Sequence, residues 1–285
     1  MKYRIIADSS SNIFQIEKNE QSENMDYVSV PLKIITDEKE YTDDDKLHTG
    51  KMVNELSTYK GKSTTSCPNI NDWLNAFGDS EQIFALSITS ALSGAYSAAL
   101  QAKDVYLERH PQAKVCIIDT LSTGPEMELL IEKIIEFIGK GIEFEEIEKR
   151  IQKYQSRTHL LFSLESLKNF VNNGRVHPAI AAAAGVLGIR IVGKASEEGT
   201  LQPLHKCRKE KQIFRKMAEE MKNEGFQNGK IRIAHCMNEA MANKLSSFLK
   251  EEFGDCDIKI RTCGGLCSYY AEKGGVLLGF EGSDI

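Results

Sequence analysis

The feature that most constrains this chain is a repeated pairing. A short run rich in Ile, Val and Ala is followed by a charged segment with apolar residues at helical spacing. YRIIAD (3–8), YVSVPLKII (27–35), QIFALSI (82–88) and AKVCIID (113–119) read as strands, with Pro31 marking an edge or an irregularity in the second. GAYSAALQAKDVYLERH (94–110) and EMELLIEKIIEFIGKG (126–141) read as helices. In the latter, Met127, Leu130, Ile131, Ile134, Phe137 and Ile138 recur at the helical period. The runs carry few alternating polar residues, as expected for strands covered by helices on both faces. Strand–helix alternation of this kind builds a parallel sheet, so the fold class is α/β.

A length of 285 residues suggests about two domains. FEEIEKRIQKYQSRT (144–158) reads as a charged, solvent-facing helix bridging the two, giving units 1–155 and 156–285. In the second unit HLLFSL (159–164) is a strand and AIAAAAGVLG (179–188) a small-residue helix. RIVGKASEEGTLQPLHKC (190–207) is a hairpin turning at Glu198-Gly199. KQIFRKMAEEMKNEG and NEAMANKLSSFLKEEFG are helices stopped by Gly225 and Gly254. KIRIAHC, CDIKIRTCG and GGVLLGFEG complete a mixed sheet.

Composition excludes several classes. A net charge of −5 argues against a non-specific nucleic-acid binder, with HKCRKEKQIFRK (205–216) as the one basic stretch. The longest apolar run is interrupted by Gly185, Gly188 and Arg190 and falls short of the roughly 20 residues a membrane span needs. The apolar core of MKYRIIADSSSN is too short for a signal peptide. A cytoplasmic protein without stable membrane insertion is expected. Seven scattered cysteines form no disulfide framework, and TCGGLC lacks the second ligand pair of a zinc site, so buried free thiols are expected. No Walker loop and no GxGxxG follows a strand, which argues against ATP or NAD as a bound cofactor. YTDDDKLH (41–48) lacks the glycine and terminal glutamate of a calcium loop and reads as a solvated acidic loop; no metal is expected.

Hydroxyls gather where strands end. Asp8-Ser9-Ser10 follow the first run, Ser87 to Gly94 the third, and Asp119 to Gly124 the fourth. A further loop, KSTTSCPN, holds Ser63 to Ser66. Ligands of open α/β sheets sit outside the carboxyl ends of the strands. Converging there, these groups would offer neutral donors and helix-start N–H groups suited to an anion. Any one cluster is more often an N-cap than a site, since that is a preferred role of Ser, Thr and Asp; the four together weigh the two readings evenly. Ser93 also stands where a hydrolase nucleophile would, but the elbow glycines are replaced by Ala91 and Ala95. His177, His205 and His235 sit in no recognisable base context.

Taken in order, ADSSSN, VSVPLKI, STTSCP, ITSALSGAYSAA, IDTLSTG, SLESLKNFVNNGRV and HKCRKEK span the chain and resemble the DegV family. The resemblance implies two α/β domains with a long-chain fatty acid bound between them. It further implies a carrier without catalysis of its own, working with a separate ATP-dependent fatty-acid kinase subunit. Thr65, Ser93 and the Gly94 N–H would bind the carboxylate, and Ser66, Arg175 and Tyr270 would contact the head group or the partner. The family's terminal His-x-Gly-Pro-Gly is absent, and Tyr270 stands near the position of its histidine. A phenol donates a hydrogen bond but carries no positive charge at neutral pH. Hydroxyl and N–H donors would satisfy a carboxylate without a buried ion pair, and leaving the charge unpaired costs several kcal/mol. Burying ~15 methylenes at about 0.8 kcal/mol each gives a gross gain of roughly 12 kcal/mol, reduced by ordering. The tunnel walls are expected in AIAAAAGVLGIRIV and HLLFSL. A Ser93-dependent small-molecule hydrolase and a binder of a different amphiphile are the alternatives.

Overall fold

The computed structural model describes residues 2–16, 24–181 and 188–282. Its first sheet is parallel and ordered β2-β1-β6-β7, from β1 (Tyr3–Asp8), β2 (Met25–Val30), β6 (Gln82–Ser87) and β7 (Lys114–Asp119). Successive side chains on these strands enter opposite cores. Ile5, Ala7, Phe84 and Leu86 pack with α4 (Pro125–Gly139) and α5 (Phe144–Gln155). Ile6, Ile83 and Ala85 pack with Trp73 and Phe77 of α2 (Ile70–Phe77) and Ala99 of α3 (Ala95–Arg109). Two covered faces explain the continuous apolar runs.

Four expectations need correction. The run 27–35 is two strands, because the chain leaves the parallel sheet at Pro31. β3 (Lys33–Thr36) instead pairs antiparallel with β4 (Glu40–Thr42) and with β5 (Ser63–Ser66). Residues 63–66, read as loop, are therefore a strand. Helix α5 is amphipathic, burying Phe144, Ile147, Ile151 and Tyr154 while its charges face out. The acidic stretch 41–48 is not wholly solvated, because Asp43 is fully buried.

The second sheet is mixed and ordered β10-β9-β8-β13-β11-β12. Its strands are β8 (Thr158–Leu164), β9 (Arg190–Ala195), β10 (Leu201–Cys207), β11 (Lys230–His235), β12 (Asp257–Thr262) and β13 (Val276–Glu281). Only β11 and β12 pair in parallel among the described strands of this sheet. One face is covered by α8 (Glu210–Asn223) and α9 (Glu239–Phe253) through Met217, Met221, Leu245 and Leu249. Gly225 and Gly254 end these helices at φ 76° and 81°, where a side chain is strained. Toward the first unit lies α4, whose Glu132 meets Arg232 and Lys259 and whose Glu128 meets Arg261. The small-residue helix begins as α7 (Pro178–Ala181), and positions 182–187 lie outside the described residues. Six cysteines are buried free thiols, while Cys67 is half-buried.

Candidate functional site

A cavity of about 300 Å³ lies between the two units. Its floor is one face of the second sheet: Leu160, Phe162 and Leu164 alternate along β8, and Leu277 stands beside Phe162 on β13. These residues are buried, and Ile88, Leu92 and Leu121 from the ends of β6 and β7 close the cavity from the first unit. The strand HLLFSL therefore supplies a wall, as expected. Of the other expected wall segment, positions 182–187 lie outside the described residues and Gly188 to Val192 do not line this cavity; Ala195, beyond that segment at the end of β9, does.

The rest of the lining includes polar residues that are half-buried or exposed. Thr65 and Ser66 of β5, Ser93 and Gly94 before α3, Arg175 after α6 (Lys168–Asn172), and Tyr270 of α10 (Gly265–Ala271) all border the same cavity. The six residues singled out from sequence are thus brought together from four separate segments. The hydroxyls of Thr65 and Tyr270 lie 2.9 Å apart. Tyr270 packs on Phe170 with ring centroids 4.6 Å apart. Burial raises the Tyr270 phenol, against a lowering by its Thr65 hydrogen bond and the Arg175 charge, so it stays a neutral donor at physiological pH. Ser93 Oγ accepts the Ala95 N–H at 3.2 Å, which leaves its own hydrogen to donate elsewhere. Arg175 donates from Nε to the Leu92 carbonyl at 3.1 Å and from Nη1 to the Asn173 carbonyl, tying the second unit to the Ser93 loop.

Not every hydroxyl cluster reaches the cavity. Thr89, Ser93 and Gly94, Ser122-Thr123 and Thr65-Ser66 contribute to it, whereas the cluster at the end of β1 braces the fold. Asp8 accepts the N–H of Ile88 at 2.7 Å and both the N–H and hydroxyl of Ser10. Ser9 donates to Asp43 at 2.8 Å and accepts the N–H of Leu32. Asp43 also receives the N–H groups of Gly265 and Leu266 at the start of α10, at 2.5 and 2.9 Å. A residue two hundred positions away thereby fixes the helix that carries Tyr270. Burial pushes Asp8 and Asp43 up to about 6. Sequence gave no signal for this role, since three adjacent acids show no periodicity.

No histidine lines the cavity among the described residues; His205 pairs with Glu220 at 2.6 Å, and His235 accepts the N–H of Asn238. No group of three or more His, Cys, Asp or Glu placed to hold a metal occurs among the described residues. No helix among them is long and apolar enough to cross a membrane.

Fold and cavity together define a two-unit α/β protein with a largely apolar internal site bordered by hydroxyl and N–H donors and by Arg175. The chain belongs to the DegV family: the family model, described as uncharacterised protein of the DegV family, matches residues 2–281. A DegV domain-containing protein of Streptococcus pneumoniae is 41% identical over 281 residues, 99% of each chain. Among solved structures, a DegV family protein from Eubacterium eligens loaded with heptadecanoic acid is 43% identical. The match has a TM-score of 0.94 and covers 99% of this chain and 100% of that one. The Streptococcus pneumoniae fatty acid kinase (Fak) B3 protein loaded with linoleic acid is 40% identical. Its TM-score is 0.96, with 99% and 100% covered.

Proposed function

We propose that this chain binds a long-chain fatty acid between its two units and presents the carboxylate to a separate ATP-dependent kinase subunit, without catalysing a reaction itself. The observation that carries the reading is one cavity lined both by the buried Leu160, Phe162, Leu164 and Leu277 and by the half-buried Thr65, Ser93 and Tyr270 with the exposed Gly94. An amphiphile's tail and head need these two environments. Thr65 and Ser93 would donate hydroxyls to the carboxylate, and Gly94 its N–H at the start of α3, where the helix dipole favours an anion. Ser66, Tyr270 and Arg175 would border the head group, and Arg175 would face a phosphate once the acid is phosphorylated. The likeness to a fatty acid kinase B3 protein supports the kinase partnership. A boundary between units at residues 155–156 and a cytoplasmic location belong to the same proposal.

The test is mass spectrometry of an organic extract from the folded protein, wild type and Ser93→Ala. A stoichiometric long-chain fatty acid, depleted in the variant, supports the reading. An extract free of fatty acid, with no mass shift after incubation with palmitic or oleic acid, overturns it. A different extracted amphiphile would move the assignment to that ligand.

A further inference from the structure

Gly193 is a glycine in the middle of β9, a position where glycine weakens a strand unless something must approach closely. Its backbone is not in the left-handed region, so conformational freedom is not the reason. The reason is space. An added Cβ would stand 2.4 Å from Cζ and 2.7 Å from Cε2 of Phe162, and 2.5 Å from the Gln202 carbonyl oxygen. Phe162 and Gly193 are directly paired across β8 and β9, and Leu277 flanks Phe162 from β13. The Phe162 ring therefore lies over the neighbouring strand, in room that a β9 side chain would otherwise fill. Both Phe162 and Leu277 line the cavity, while Gly193 itself does not.

We infer that the Phe162–Gly193 pair is the gauge that sets how much acyl chain the cavity accepts, an inference resting on the fatty-acid reading. With glycine at 193 the ring lies over β9, and the floor stays low. A larger residue at 193 drives the ring into the cavity and reduces its capacity. A smaller residue at 162 deepens the floor under the chain. Length and cis bends both consume that capacity, so the pair ranks chains by bulk, while the carboxylate end, built from other segments, is untouched.

The experiment offers an equimolar mixture of saturated and cis-unsaturated fatty acids from dodecanoic to eicosanoic to wild type, Phe162→Ala and Gly193→Ala, and quantifies what each retains. Phe162→Ala is expected to move the preferred acid toward bulkier chains. The ratio of neighbouring chain lengths should change by about tenfold, the discrimination a single methylene gives at the limit of a pocket. Gly193→Ala should move it toward shorter chains. Because Gly193→Ala also meets the Gln202 backbone, Phe162→Ala decides the matter should that variant fail to fold. An unchanged ranking in folded Phe162→Ala overturns the inference and leaves fatty-acid binding intact. A wild-type chain that retains no acid overturns both.

Discussion

The hydroxyl of Tyr270 lies 2.9 Å from that of Thr65, joining helix α10 near the chain's end to an edge strand of the small antiparallel sheet. Tyr270 thereby fixes which way the Thr65 hydroxyl points and holds the polar end of the cavity together. Tyr270→Phe keeps the ring packed against Phe170 and removes only this bond. A net hydrogen bond contributes about 1 kcal/mol, so fatty-acid affinity should fall about fivefold. Because the phenol is raised rather than lowered, it stays protonated through neutral pH, and wild-type affinity should be flat between pH 6 and roughly 9. Tyr270→His should introduce a dependence near pH 6.5, the ordinary histidine value. Competition with a fluorescent fatty acid across pH checks both; an equally sloped wild type would refute the neutral-donor role.

Ser93 serves two ends at once, accepting the Ala95 N–H in the first turn of α3 while lining the cavity. Ser93→Ala should therefore lower stability by about 1 kcal/mol, the net contribution of one hydrogen bond. It should also weaken fatty-acid binding by about 1.5–3 kcal/mol, the contribution of a hydrogen bond to a charged group. Thermal melts of the ligand-free forms measure the first effect and titration the second. A stability loss with unaltered affinity would reduce Ser93 to a brace for the Ala95 N–H.

Glu126 is buried at the start of α4, where its carboxylate accepts the Thr158 hydroxyl at 2.8 Å. Burial, only partly opposed by its hydrogen bonds, pushes it up to about 7. The folded chain thus holds a proton that the unfolded chain, titrating near 4.5, has released. The resulting stabilisation is fully present below pH 4.5 and lost as pH rises through about 7. It amounts at most to about 3 kcal/mol. Glu126→Gln, which still accepts from Thr158, should remove this share of the pH dependence. Urea unfolding at pH 5 and pH 8 should show the variant gaining on wild type at the higher pH. Parallel pH profiles would contradict the burial argument.

The parallel sheet was legible because both its faces are covered: Ile5-Ile6-Ala7 and Ile83-Phe84-Ala85-Leu86 read as strands without any alternation to interpret. The polar end of the cavity was legible because Thr65, Ser93, Gly94 and Arg175 sit in short motifs. Helix α10 was not. Its seven residues begin with glycine, and its start is fixed by Asp43, a contact across 222 positions that no local pattern encodes. Gly193 was equally silent, since nothing near it in sequence announces the Phe162 ring that needs its space.

Arg232 tests how the two units are joined. Only 1% exposed, it reaches from β11 to Glu132 of α4 with two bonds, of 2.9 and 2.6 Å, and to Asp257 at 2.9 Å. The arginine and Lys259 together hold Glu132 down to about 2 despite burial. Arg232→Ala leaves that carboxylate with less compensation and opens a cavity, and breaking a buried pair from one side costs about 3–5 kcal/mol. Lys259, 2.9 Å from Glu132, remains to soften the loss, which places the expected value at the lower end. The double variant Arg232→Met with Glu132→Gln removes both charges and should recover most of it. Urea unfolding at pH 7 measures each step. A loss below about 1 kcal/mol in Arg232→Ala would mean that the apolar packing of α4 against β13, rather than this ion pair, joins the units.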